Sequence, residues 1–325
     1  MMYLFLSLLI MFLALPFGYS AFVISAVVVS LLIYLEIRKM RVFMLVPLSL
    51  LSIIYLPLAL LTVIYLLWIS KDELFMRIIS FIAAFGVFLI LFPVLYLFVI
   101  SPPLGFSWDL VNTIVTSMVA ATIATLIGLG LSLPLGYLLA RRNFALRSFV
   151  EGVIDLPIVI PHTVAGIILL LVFGSSGIIG APLESIGIRF YYALPGIVIA
   201  MLFVSIPFLI NQIRDGIARV DERYELVAMN LGATRTRAFF TVVLPLIKKN
   251  VLSGSINAWA RAMSEFGAVI MIAFYPMIAP TYIYFLFTNY GLSATLPATS
   301  FLLMITLLIF VSLRAVFGRL NDAGD

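Results

Sequence analysis

Few side chains in this chain could do chemistry, and their types narrow what it could be. Arg261 and Glu265 stand at i and i+4 in WARAMSEFGAV, one turn apart on a helix face and close enough to neutralise each other. Asp155 and His162, the sole histidine, lie either side of two prolines in IDLPIVIPHTVAG. Pro157 and Pro161 free backbone carbonyls there that a neighbouring helix or water must satisfy. All four residues sit in or beside apolar runs, where an ionisable group is expensive unless paired or hydrated. They are the candidates for a pathway or gate. The plainer readings are a structural ion pair for Arg261 and Glu265, and a backbone hydrogen bond for His162. A second set, Glu225, Ala228, Gly232, Arg235, Arg237 and Pro245, falls in ELVAMNLGATRTRAFFTVVLP, the one long stretch too polar for a bilayer interior. With its flanks it forms a loop, 214–250, on the membrane surface.

Several chemistries are excluded by what is missing. With no cysteine there is no disulfide, thiolate metal site or cysteine nucleophile, and a single histidine argues against zinc. No metal and no cofactor is expected. No Gly-x-x-x-x-Gly-Lys-Ser/Thr occurs, and Gly174-Ser175-Ser176-Gly177 lacks the lysine that a phosphate loop needs. An intramembrane enzyme is disfavoured because no nucleophile and base are paired. The net charge of +5 is spread over loops between apolar runs, which sets orientation in a membrane and does not make a nucleic-acid surface.

The elements that must position these residues are helices in lipid. Hydrophobic residues make up 64% of the chain and charged ones 10%, with a mean hydropathy of +1.26, so the fold class is an all-α polytopic membrane protein. The start, MMYLFLSLLIMFLALPF, has no basic segment before it and reads as a retained membrane segment. Residues 1–72 form an extra N-terminal region of two to four short spans broken near Pro16 and Pro57. Residues 73–320 hold six spans, at Leu74–Ile100, Leu110–Ala140, Gly152–Phe173, Ala193–Ile213, Leu252–Phe274 and Leu296–Phe317. Segments 174–192 and 275–291 then lie outside. Nearly every Lys and Arg of the core, the C-terminal end included, faces the cytoplasm. Small residues at Ala120, Ala121, Ala124, Gly128, Gly130, Ser132 and Gly136 give the second span a face on which another helix packs closely.

The polar loop resembles the signature cytoplasmic loop of bacterial and archaeal ABC importer permeases: Glu-Ala-Ala, three residues, Gly, nine residues, Ile-x-Leu-Pro. Here Gly232 is followed ten positions on by Val242-x-Leu244-Pro245, while Leu226 stands where the first Glu usually does and Glu225, one residue earlier, is its stand-in. Two further runs, Asp155 to Gly180 and Trp259 to Pro280, are similar to those of archaeal molybdate/tungstate permeases. The resemblance implies a six-helix type I permease core working by alternating access in the plasma membrane, as a homodimer. It also implies a cytoplasmic ATPase dimer gripping the loop around Ala228, Gly232 and Pro245, with Glu225, Arg235 and Arg237 as polar contacts. An extracytoplasmic oxyanion-binding protein completes the set. Sulfate or thiosulfate permeases share the fold and are the nearest alternative; an ion-driven carrier or channel using Arg261 and Glu265 is the more distant one. No basic cluster is visible along the pathway in sequence, so the permease is expected to pass its ion on without holding it tightly.

Overall fold

The computed structural model describes residues 107–322 without a gap and part of 79–102; the extra spans expected in 1–72 lie outside the described residues. Two compact units form. In one, residues 290–305 cluster with described residues before Ser107. The described positions between 79 and 100 are helical, Phe92 and Tyr96 stack at 5.9 Å, and the Ser101 and Ser300 hydroxyls share a hydrogen bond of 3.0 Å. The expected first span, Leu74–Ile100, is therefore seen only in part.

The other unit carries both candidate sets. Its helices are α1 (Trp108–Arg141), α2 (Arg147–Val159), α3 (His162–Phe173), α4 (Gly180–Ser185), α5 (Leu194–Ala218), α6 (Arg223–Asn230) and α7 (Arg235–Ala238). A π-helical turn at Phe239–Val243 leads into α8 (Leu244–Leu246), α9 (Lys248–Met263) and α10 (Gly267–Ile272); α11 (Ala279–Asp322) begins here and continues through 290–305. Among the described residues, α1, α5 and Ala279–Ser312 are long and apolar enough to cross a membrane, and two bent helix pairs bring the number to at most five.

α1 and α5 form the spine of this unit. Ser107 caps α1 by accepting the Leu110 amide at 3.1 Å. The small residues of α1 pack inward as expected, apart from Gly130, which is exposed and has open space around it. At Gly136 a Cβ would come within 2.8 Å of Ile213 Cγ2, so the two helices approach to a distance that only glycine permits.

Three expectations change. The third span is two helices, α2 and α3, bent by 112°, because Pro161 pushes Ile160 into an extended conformation (φ −73°, ψ 143°). The fifth breaks at Ser264–Phe266 between α9 and α10. The sixth, expected to begin at Leu296, is instead part of a helix that runs from Ala279 through the segment 275–291 expected outside; within α11 only Gly291 departs, with φ 79°.

Candidate functional site

α6 opens where Asp221 Oδ1 accepts the Arg223 amide at 2.9 Å. It closes where the Gly232 amide donates to Met229 O (2.9 Å) and the Ala233 amide to Ala228 O (3.0 Å). That pair of bonds is a Schellman close and needs a left-handed residue, which Gly232 supplies with φ 93°. A Cβ at 232 meets nothing within 4 Å, so the obstacle to any other residue is backbone angle and not space. Gly232→Val is therefore expected to cost about 1 to 2 kcal/mol and Gly232→Asn much less, because Asn tolerates this angle. Melting temperatures of the two variants in detergent make the comparison; equal values would remove the angle as the reason for the glycine.

Glu225 does not face outward. It is 6% exposed, accepting the Tyr137 hydroxyl at 2.6 Å and Arg141 Nε at 2.7 Å. Arg141 Nη2 lies 2.7 Å from the same Oε1 but off the hydrogen-bond angle, so one aligned bond and a charge pair tie α6 to the end of α1. Sequence reasoning offered Glu225 to a partner protein, yet its carboxylate is engaged within its own chain. Tyr137 also meets Phe239 edge-on at 5.3 Å, so one ring joins this pair to the π turn. Val243 and Ile247 bury against Leu209, Ile213 and Ile217 of α5, and this anchors the polar segment from below.

What does face outward is mixed. Arg235 and Arg237 are exposed on α7, where Thr234 accepts the Arg237 amide at 3.2 Å. Leu226, Leu231 and Phe240 are exposed apolar groups, Leu231 at 85%. Arg235 also lines a cleft of about 120 Å³ with Tyr137, Arg142 and Glu222. Pro245 lies within the helical segment Arg235–Leu246, close to its end. It sits in the first turn of α8, where a missing amide costs little, just after the π turn in which Leu244 N reaches back to Phe239 O. The actual turning point is Ile247, where Arg235–Leu246 meets α9 at 74°.

The second locus lies at the break between α9 and α10. Arg261 Nη2 donates to Glu265 Oε2 at 2.9 Å and also lies 2.9 to 3.0 Å from the two ring nitrogens of His162. Nearly equidistant from both nitrogens, Nη2 rests against the imidazole ring and not along one in-plane lone pair. His162 Nδ1 is 3.3 Å from Glu265 Oε2, and Arg261 Nη1 reaches Ser264 Oγ at 3.3 Å. Glu265 is almost wholly buried, and its other oxygen accepts the Ala268 amide at 2.8 Å, which caps α10. Close packing holds α3 to α10: a Cβ on Gly166 would fall 2.6 Å from Ala268 O, and one on Gly267 would fall 2.7 Å from His162 Cβ.

Three of the four pathway candidates are thus brought together. Asp155 is not with them; it accepts Asn211 Nδ2 at 2.8 Å and ties α2 to α5. Tyr137, Arg141, Ser264 and Asn211 escaped the sequence reading. Tyr137 and Arg141 carried a signal, since they stand at i and i+4 and share a face of α1.

Residues 132–322 match the family described as binding-protein-dependent transport system inner membrane component. The chain is 41% identical over 251 residues to the molybdate/tungstate transport system permease protein WtpB of Pyrococcus furiosus, covering 74% of this chain and 96% of that one. It is 46% identical over 211 residues to the protein of the same name from Thermococcus kodakarensis, covering 65% and 80%. Among solved structures, a chain of a bacterial alginate ABC transporter in complex with its alginate pentasaccharide-bound periplasmic protein superposes with a TM-score of 0.54 at 18% identity, over 66% of this chain and 80% of that one.

Proposed function

The chain belongs to the family of binding-protein-dependent transport system inner membrane components, and from that premise we propose that it is the permease subunit of an ATP-driven importer of molybdate or tungstate. The observation that carries the substrate reading is the 41% identity extending over 96% of the Pyrococcus furiosus permease. ATP is hydrolysed by a separate subunit. The segment 214–250 is the surface that subunit grips, on the cytoplasmic side together with the C-terminus.

The exposed face of this segment supports that role. A docking knob must be rigid and must offer apolar area with charge at its rim. The Gly232 close and the Glu225 pair supply rigidity, Leu226, Leu231 and Phe240 the area, and Arg235 and Arg237 the charge. Where the family's usual glutamate would stand, Leu226 puts an apolar group outward, at 54% exposure. Grip therefore depends here on burying that leucine more than on a charge.

Two copies related by a two-fold axis would set α3, α5 and α9 around a shared path, and a binding protein would deliver the oxyanion from the opposite face. The core of six spans in 73–320 is the part that does this work, with 1–72 added to it.

Uptake in proteoliposomes containing permease, ATPase and binding protein tests the reading. Tungstate uptake is expected to need ATP, to stop with vanadate, and to resist an excess of sulfate. Uptake that persists without ATP would make the chain a carrier or channel, and uptake abolished by sulfate would make sulfate the cargo.

A further inference from the structure

The fold brings His162 to the Arg261–Glu265 pair, a polar locus whose assembly the sequence does not display. Arg261 and His162 lie 99 residues apart in the chain and meet at the α9–α10 break, with Ser264 beside them. Their exposure is graded: the Glu265 side chain is 2% exposed, Arg261 23% and His162 41%, and Ser264 is exposed. An approaching anion therefore meets the guanidinium, the imidazole and a hydroxyl first, with the carboxylate behind them. Glu265 has a second tether in the Ala268 amide, so losing Arg261 would not strand it. Arg261, by contrast, commits Nη2 to Glu265 and the His162 ring and Nη1 to Ser264, so it is the displacement of Glu265 that frees a planar fork suited to a tetrahedral oxyanion.

Resting on the importer reading above, we propose that Arg261, His162 and Ser264 form a transient contact site for the tetrahedral oxyanion, which displaces Glu265 as the partner of Arg261. Glu265 then acts as a built-in competitor. It takes the guanidinium back once the ion moves on, which keeps the site from becoming a trap. The discontinuous helices α2–α3 and α9–α10 suit such a role, because broken spans in transporters carry polar sites at mid-path. Gly166 and Gly267 fix the spacing of the cluster, since a Cβ at either would force α3 and α10 apart.

The test uses the full assembly in proteoliposomes, loaded with tungstate, and reads tungstate moved per ATP hydrolysed. Arg261→Gln is expected to lower that ratio roughly tenfold, the loss of about one hydrogen bond to a charged group, with Arg261→Lys intermediate because it keeps the charge and loses the fork. An unchanged ratio in Arg261→Gln overturns the proposal. So does an equal fall of the ratio in Arg261→Lys and Arg261→Gln, because the retained charge would then contribute nothing to holding the ion. Ser264→Ala removes one exposed hydroxyl and leaves the ion pair alone, so it serves if Arg261→Gln does not assemble. A ratio reduced about twofold there supports the site, and an unaltered one counts against it. An unsubstituted assembly that moves no tungstate sinks the importer reading instead.

Discussion

Glu225→Ala is expected to cost about 3 to 5 kcal/mol, because it leaves the Arg141 guanidinium buried without its counter-charge. Both side chains of the pair are only 8% exposed, so water cannot step in cheaply. Tyr137→Phe removes only the hydroxyl's bond to the same carboxylate and is expected to cost about 1.5 to 3 kcal/mol, with the Phe239 ring contact retained. The paired change Glu225→Leu with Arg141→Met should recover most of the loss, since two apolar groups of similar volume no longer demand a partner. Melting temperatures in detergent give the stability order. ATPase pull-down gives the functional one: α6 freed from α1 should bind the ATPase poorly even where the fold survives. If Glu225→Ala melts with the unsubstituted protein, the pair is solvated in the assembled transporter and the account of its rigidity fails.

The second large effect is expected at Gly166. A Cβ there would stand 2.6 Å from Ala268 O and 2.9 Å from Ala268 Cα, both backbone atoms with no rotamer to yield. Gly166→Leu should therefore cost at least the roughly 1 to 3 kcal/mol typical of overpacking and should push α3 off α10. The predicted signature is specific. His162 withdraws from Arg261 and Glu265, so Gly166→Leu should reproduce the lowered tungstate-to-ATP ratio of Arg261→Gln with the charged residues intact. Gly152→Leu, at a position with nothing within 4 Å of its Cβ, is the matched control and should leave both stability and ratio unchanged. A normal ratio in Gly166→Leu would mean that the spacing of the cluster does not matter to transport.

Much of this was legible from local chemistry. The glycine turn, the small-residue face of α1 and the Arg261–Glu265 pair all follow from spacing along one segment, and spacing is what a sequence displays. Breaks were harder to read. Pro161 announced a disturbance, but the 112° bend depends on how Ile160 and the helices around it settle. The break at Ser264–Phe266 has no proline or central glycine to mark it; Glu265 makes it by capping α10 from outside. The partners of Glu225, Asp155 and His162 were least legible, because each lies on a different helix and apolar spans all look alike in lipid. Pairing across 84, 56 and 99 residues is decided by which faces meet.

Helix α9 has one end at the Ile247 turn and the other at the Ser264 break, with no proline or positive-φ residue between them. From Ile247 to Arg261 this stiff arm is about 21 Å long, so a tilt of about 5° at its base carries Arg261 about 2 Å sideways. The contact it must break to Glu265 is 2.9 Å long. If the ATPase grips the loop as proposed, a small tilt at that grip would be magnified by this arm into a change of which anion the guanidinium holds.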